Sequence, residues 1–280
     1  MLFKVGLAGV LVCKYNLKVA GQQIELRDFG KIDEVWSKFI VNETVNDKET
    51  LLTIIDNTKY LRDLPYNVGV YPIGEEVDFL VSNGLNFMFI SCNWHKAYIK
   101  EAVNFVERNN LVMWFFLSTT TRKKMLGIHS SLIEHNGRGL MFLGPSGIGK
   151  TTQAELWNKY RDARIINGDI VFVQETEECF LGWGTPWHGS SPYCENTSVP
   201  VHAMIVLKQA PENSIRELTG FEKVSAVSGS VFYPQWLENG MELCLETLDH
   251  FLQAVTVYEL SCRPDEDAVA LTEKTIFGGC

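Results

Sequence analysis

Eight consecutive residues constrain this chain more than any other stretch: Gly144-Pro145-Ser146-Gly147-Ile148-Gly149-Lys150-Thr151. They fit the spacing G-x-x-x-x-G-K-[ST]. The apolar run 139–143 before them reads as a buried strand, and residues 152–160 after them read as a helix. A strand, a glycine-rich turn and a helix in that order aim several backbone N–H groups at one point. The helix N-terminus adds its partial positive charge there, which makes an anion site. In this reading Gly144, Ser146, Gly147, Ile148, Gly149 and Thr152 form the cradle for a nucleoside triphosphate. Lys150 reaches the β/γ-phosphates and the Thr151 hydroxyl ligates Mg²⁺. The competing reading is a glycine-rich turn with a chance lysine; the strand and helix on either side favour phosphate.

With 280 residues the chain has room for one large domain or two ordinary ones. A net charge of -9 argues against a general nucleic-acid binder, which would need a basic face. Cys13, Cys92, Cys179, Cys194, Cys244, Cys262 and Cys280 include no C-x-x-C pair, so neither a structural metal nor a redox motif is expected. Their odd number and scatter fit reduced thiols in the cytoplasm. The apolar start up to Cys13 reads as a first β-strand rather than a secretory signal. Residues 111–117 form an apolar run far too short to span a bilayer, so no membrane partner is expected.

Along the first half, residues 51–55, 68–71, 77–81 and 87–91 read as short strands. Residues 98–107 read as a helix broken by Asn109-Asn110, and 111–126 as a second, buried helix, although Thr119-Thr120-Thr121 resists it. In the second half, strands are expected at 128–134, 163–166, 171–173, 180–181, 201–207 and 257–260. Helices are expected at 248–255 and from Asp265 to Thr272. Asn136-Gly137 marks a hairpin turn just ahead of the loop. The division expected is an N-terminal α+β segment, 1–122, and a phosphate-loop domain, 123–280.

Four further features surround the loop. Asp169 ends the strand after the loop helix, where a carboxylate can hold a metal or accept a proton from an attacking hydroxyl; otherwise it begins a turn. His129, on the strand entering the hairpin, either lines the site or is a satisfied core histidine. In residues 182–191 glycines flank Trp183, Trp187 and His188. That loop either covers the phosphates, with Trp187 as lid, or packs its tryptophans in the core. Arg263 either contacts a phosphate or simply precedes a helix whose first turn is acidic.

Taken together, Ile128-His129-Ser130, the loop and Ile165-Ile166-Asn167-Gly168-Asp169 resemble the catalytic domain of HPr kinase/phosphorylase and its relatives, which share a nucleotide-binding core with phosphoenolpyruvate carboxykinase. The resemblance covers roughly residues 125–275. Its nearest flavour is that of the HPr-kinase-like proteins encoded beside ribosomally made peptides, some of which phosphorylate peptide serines. It implies an α/β fold with a mixed, partly antiparallel sheet and a P-loop core. It implies ATP and Mg²⁺ as cofactors, with Lys150 on phosphate, Thr151 and Asp169 on the metal, Asp169 as base and His129 lining the site. The chain departs from the family at Gly168, where the first of two aspartates is usual, so either one carboxylate does two jobs or the base comes from elsewhere, such as His188.

The expected activity is transfer of the γ-phosphate of ATP to a hydroxyl, with a serine of a peptide or protein preferred as acceptor. A small-molecule kinase uses the same parts. A nucleotide-binding regulatory module without transfer chemistry is the reading from a different class. A homo-oligomer is left open.

Overall fold

The structure, a computed structural model, describes residues 14–27, 34–42 and 105–278, with 4–5, 11–12, 32, 50–54, 69–73, 77–83, 86–90 and 96–99. It divides into two compact units, Met1–Thr120 with Pro234–Glu238, and Thr121–Tyr233 with Asn239–Cys280.

In the first unit, β1 (Lys4–Val5) and β2 (Leu11–Val12) pair antiparallel, so two short strands stand where one was expected. A seven-stranded sheet contains β3 (Lys14–Val19), β4 (Gln22–Arg27), β5 (Thr50–Ile54), β6 (Gly69–Ile73), β7 (Val77–Asn83), β8 (Asn86–Ile90) and β9 (Lys96–Ile99), in the order β3-β4-β5-β9-β8-β7-β6. A single turn of helix, α1 (Glu34–Ser37), buries Trp36. The helical expectation fails in detail after this. Residues 96–99 are a strand, and one helix, α2 (Phe105–Thr121), runs straight through Asn109-Asn110. Leu111, Val112, Phe115 and Phe116 are all buried at i, i+1, i+4, i+5 spacing. Burying that face outweighs the few tenths of a kcal/mol, roughly, by which asparagine disfavours helix. The threonine run is tolerated because Thr119 and Thr120 donate to the Phe116 carbonyl, at 2.9 and 2.7 Å. The segment 234–238 joins this unit through Trp236, whose Nε1 donates to Ser118 Oγ at 2.8 Å and whose ring lies 5.2 Å from Trp114.

The second unit is α/β with a mixed sheet. Its elements are β10 (Met125–His135), β11 (Arg138–Leu143), α3 (Lys150–Arg161), β12 (Arg164–Asn167), β13 (Ile170–Glu175), β14 (Phe180–Trp183), β15 (Ser198–Gln209), β16 (Ser214–Leu218), α4 (Gly220–Ser228), β17 (Val231–Phe232), α5 (Gly240–Ala254), β18 (Thr256–Cys262) and α6 (Glu266–Phe277). Only β11–β15 and β15–β18 pair parallel; the remaining neighbours are antiparallel. Two long strands serve several partners each, β10 four and β15 three. The first half of β10 pairs with β13 and its second half with β11. The start of β15 pairs with β14, and the rest with β11 and β18.

Strand alternation sorts the core into two faces. Leu140 and Phe142 of β11 pack with Ala154 and Trp157 of α3 and Val269 of α6. Met141 and Leu143 pack on the other face with Leu248 and Phe251 of α5. Helices therefore cover both faces. The hairpin β10–β11 turns on Asn136-Gly137, both with positive φ (52° and 74°), as the Asn-Gly pair requires. No described helix is long and apolar enough to cross a membrane.

Candidate functional site

The carboxyl ends of β11, β12, β15 and β18 lie along one edge of the sheet, fixed by their registers with β10 and with one another. Crevices outside carboxyl ends are where open α/β sheets bind ligands. The loop 144–149 leaves β11 at this edge and enters α3. Gly147 and Gly149 take φ of 78° and 115°. A side chain would strain either position, so the sequence needs glycine there to turn the backbone toward the helix start.

Lys150 is 6% exposed and begins α3. Its Nζ donates to the carbonyls of Gly144 at 3.1 Å and Pro145 at 3.3 Å, so the ammonium lies over the loop it would share with an anion. Burial lowers its pKa, and the nearby Asp169 carboxylate opposes that by favouring the charged form. Two hydroxyls tie the helix start to neighbouring strands. Ser131 of β10 donates to the Lys150 carbonyl at 3.0 Å, and Thr151 donates to the Gly168 carbonyl at 3.3 Å.

Asp169 is set by the residue two before it. Asn167 Oδ1 accepts from the N–H of Asp169 at 2.8 Å and of Ile170 at 3.0 Å. The Asn167 amide donates to the Thr185 carbonyl at 2.9 Å, and Thr185 Oγ1 donates to the Ile170 carbonyl at 2.7 Å. The asparagine thereby fixes the turn that delivers the carboxylate. His129 Nε2 donates to Asp169 Oδ1 at 3.0 Å, and both side chains keep about 30% exposure, 30% and 29%. The pair is organised and still reachable from solvent. His129, the adjacent pair Lys150-Thr151 and Asp169, about twenty residues from one to the next, are thus brought to one place.

The other expected residues fall differently. Ser146 and Thr152 are exposed, and Gly144 and Ile148 complete the turn. Trp187 is 6% exposed and lies 6.0 Å from Phe172. Its indole is buried here, which is the core-packing alternative of the two readings of this loop. His188 Nδ1 bonds the Ser191 carbonyl, closing a tight turn. That turn brings Gly189 onto Asp169, where an added Cβ would sit 2.7 Å from Oδ2. Arg263 has its guanidinium Nε on Asp265 at 2.9 Å, and Asp265 also caps α6 through the Ala268 N–H. Arg263 nevertheless lines a cavity of about 530 Å³ whose other walls include Gly147, Ile148, Gly149 and Thr152.

Three supporting residues escape a sequence reading. Asn167 carries a visible signal, the Asn-Gly-Asp string of a turn. Ser131 and Ser191 carry none. Ser191 explains the missing aspartate: a Cβ placed on Gly168 would lie 2.0 Å from Ser191 Oγ and 2.4 Å from its Cβ. The space for a second carboxylate is filled by this serine. Gly168→Asp should therefore destabilise the fold by about 1–3 kcal/mol or more, as overpacking does. Ser191→Gly in the same chain should restore most of the loss. Chemical denaturation of the single and double variants measures it; a fully stable Gly168→Asp contradicts this packing.

A family model described as SynChlorMet cassette protein ScmC matches residues 90–256. The chain belongs to the ScmC family. No curated protein matches it significantly. Among solved structures, it is similar to the Hpr(Ser) kinase/phosphatase from Coxiella burnetii. The identity is 10%, the match covers 53% of this chain and 95% of that one, and the TM-score is 0.33.

Proposed function

We propose that this ScmC-family chain is an ATP- and Mg²⁺-dependent kinase that transfers the γ-phosphate to a hydroxyl, with a serine of a peptide or protein as acceptor. The observation that carries the proposal is the 3.0 Å pair of His129 and Asp169 beside a strand–loop–helix whose first helical residue is a buried lysine. We assign the activity to residues 123–280, folded as a P-loop core of the HPr kinase and phosphoenolpyruvate carboxykinase type, acting in the cytoplasm. The family description, a cassette protein, agrees with the resemblance to proteins encoded beside ribosomally made peptides.

In this mechanism the backbone N–H groups of residues 146–151 and the α3 N-terminus bind the β- and γ-phosphates. Lys150 exchanges its two carbonyl partners for phosphate oxygens, a stronger, charge-assisted contact. The acceptor oxygen forms its bond to the γ-phosphorus as the bond to the β,γ-bridging oxygen breaks, and ADP leaves. The hydroxyl proton passes to Asp169, which His129 holds in orientation. The Thr151 hydroxyl and Asp169 carboxylate are hard oxygen donors at adjoining positions, since Thr151 Oγ1 reaches the carbonyl that precedes Asp169. That set suits Mg²⁺, which takes one or two protein ligands and completes its shell with phosphate and water. When bound, the ion would neutralise charge on the phosphates.

A binding module without transfer chemistry is favoured by one observation: Ser191 fills the room for a second carboxylate, leaving Asp169 to do both jobs. Incubation with γ-labelled ATP, Mg²⁺ and separate panels of serine peptides and small hydroxylated metabolites decides among the readings. Label on a peptide serine is the expected result. Label on a metabolite alone would give the small-molecule kinase, and label on no acceptor would give the silent module.

A further inference from the structure

The two carboxylate oxygens of Asp169 have different surroundings. His129 Nε2 donates to Oδ1 at 3.0 Å. Oδ2 lies beside Gly189: a Cβ added to that glycine would sit 2.7 Å from Oδ2 and 2.8 Å from the carboxylate carbon. The oxygen left to take a proton is therefore the one next to the turn 188–191.

That turn is tied down on both sides of Asp169. The Gly168 N–H donates to the Tyr193 carbonyl and the Ile170 N–H to the Trp187 carbonyl, each at 3.2 Å. Within the turn the Ser191 N–H donates to the His188 carbonyl at 3.1 Å. Gly189 takes a φ of 60°, and its missing Cβ lets the backbone lie against the carboxylate. Gly189 and Ser190 form the exposed tip, between Trp187 and Ser191, which are buried.

The tip carries a hydroxyl. The Cα of Ser190 is about 3.8 Å from that of Gly189, so the hydroxyl starts one residue from a backbone packed on the base. Neighbouring hydroxyls are engaged. Thr151 donates to the Gly168 carbonyl, and Thr185 to the Ile170 carbonyl. Ser191 is 7% exposed, and its Oγ accepts from the Tyr193 N–H at 3.1 Å. Ser190 is exposed, and its hydroxyl has no partner among the described residues.

Resting on the kinase reading above, we propose that the chain phosphorylates itself, in cis, on Ser190. Ser190 Oγ forms a bond to the γ-phosphorus of the bound ATP while the bond from that phosphorus to the β,γ-bridging oxygen breaks, and ADP leaves. The hydroxyl proton goes to Oδ2 of Asp169. A hydroxyl on a tethered turn meets the phosphate at an effective concentration that a free peptide reaches only by binding. The product carries close to two negative charges at pH 7 beside the Asp169 carboxylate. It repels a further triphosphate, so the reaction stops at a single phosphate on each chain.

Incubating the full chain with γ-labelled ATP and Mg²⁺, with and without the panels of peptides and metabolites, and mapping the label by mass spectrometry tests this. Label is expected on Ser190, at a rate per chain that does not change when the protein is diluted. Ser190→Ala should abolish it, and Ser190→Thr, which keeps a hydroxyl, should retain it. The side chain is at an exposed tip, so both variants should unfold at the wild-type temperature. Labelled peptides beside an unlabelled chain would overturn the proposal and leave the kinase reading standing. Label at another residue of the chain, or a rate per chain that rises in proportion to concentration, would overturn it as well. Label on neither the chain nor any peptide or metabolite is a different result: it would remove the kinase reading itself.

Discussion

Asp169→Asn should lower the turnover of phosphate transfer on the order of a hundredfold or more, the usual scale for loss of a general base. The substitution keeps the shape and hydrogen-bonding reach of the side chain and removes its charge. Asn167 holds the backbone of residue 169, through the N–H groups of 169 and 170, so the turn should survive. The fold and the affinity for ATP without Mg²⁺ should then stay near wild type, while the advantage that Mg²⁺ gives to binding should shrink. That split is informative. A turn-forming aspartate would show its effect in stability, whereas a base or metal ligand shows it in turnover and metal dependence. Near-wild-type transfer by Asp169→Asn would return this residue to the role of a turn.

Lys150→Ala should abolish transfer and weaken triphosphate binding. The loop carries one lysine, and it is buried against the loop carbonyls, so its charge acts where solvent screens little. Its removal leaves the backbone cradle to face the phosphates alone. The lowered pKa of Lys150 adds a pH signature. The protonated form binds phosphate, so affinity falls as pH rises through the pKa of this residue. Burial puts that fall at a lower pH than an ordinary lysine would give, and the charge of Asp169 limits the displacement. Titration of wild-type affinity against pH should show this alkaline loss, and Lys150→Ala should lack it.

What could be read from the sequence was what neighbouring residues settle among themselves. The strand, loop and helix around 144–151 are consecutive, and their glycine spacing states the turn directly. Asn136-Gly137 specified its hairpin for the same reason. The mixed sheet was implied by the resemblance that the loop and its flanking residues carry. Local reading failed where burial decided. Asn109-Asn110 reads as a break, yet the apolar face of α2 carries the helix through. Helix α4 went unread because Phe221 and Val224 are exposed and only Val227 of that helix is buried, so no periodic pattern marks it. The segment 234–238 belongs to the first unit although it lies deep in the second half of the chain.

The site divides along the same line. Lys150, Thr151 and Asp169 announce themselves by motif and spacing. Ser191 filling the space beside Gly168 is a contact across 23 positions of sequence. It leaves no local pattern. Trp187 shows an ambiguity that sequence alone cannot resolve: glycines around a tryptophan fit a cover or a core loop equally, and its ring lies 6.0 Å from Phe172.

The most direct measurement of the central claim, a triphosphate site on the loop 144–151, is calorimetric titration of ATP with Mg²⁺ into wild type and Lys150→Ala side by side. The account predicts saturable one-site binding to wild type and a large loss of affinity in a variant that remains folded. Absence of binding to wild type, or equal affinity in the two chains, would contradict it.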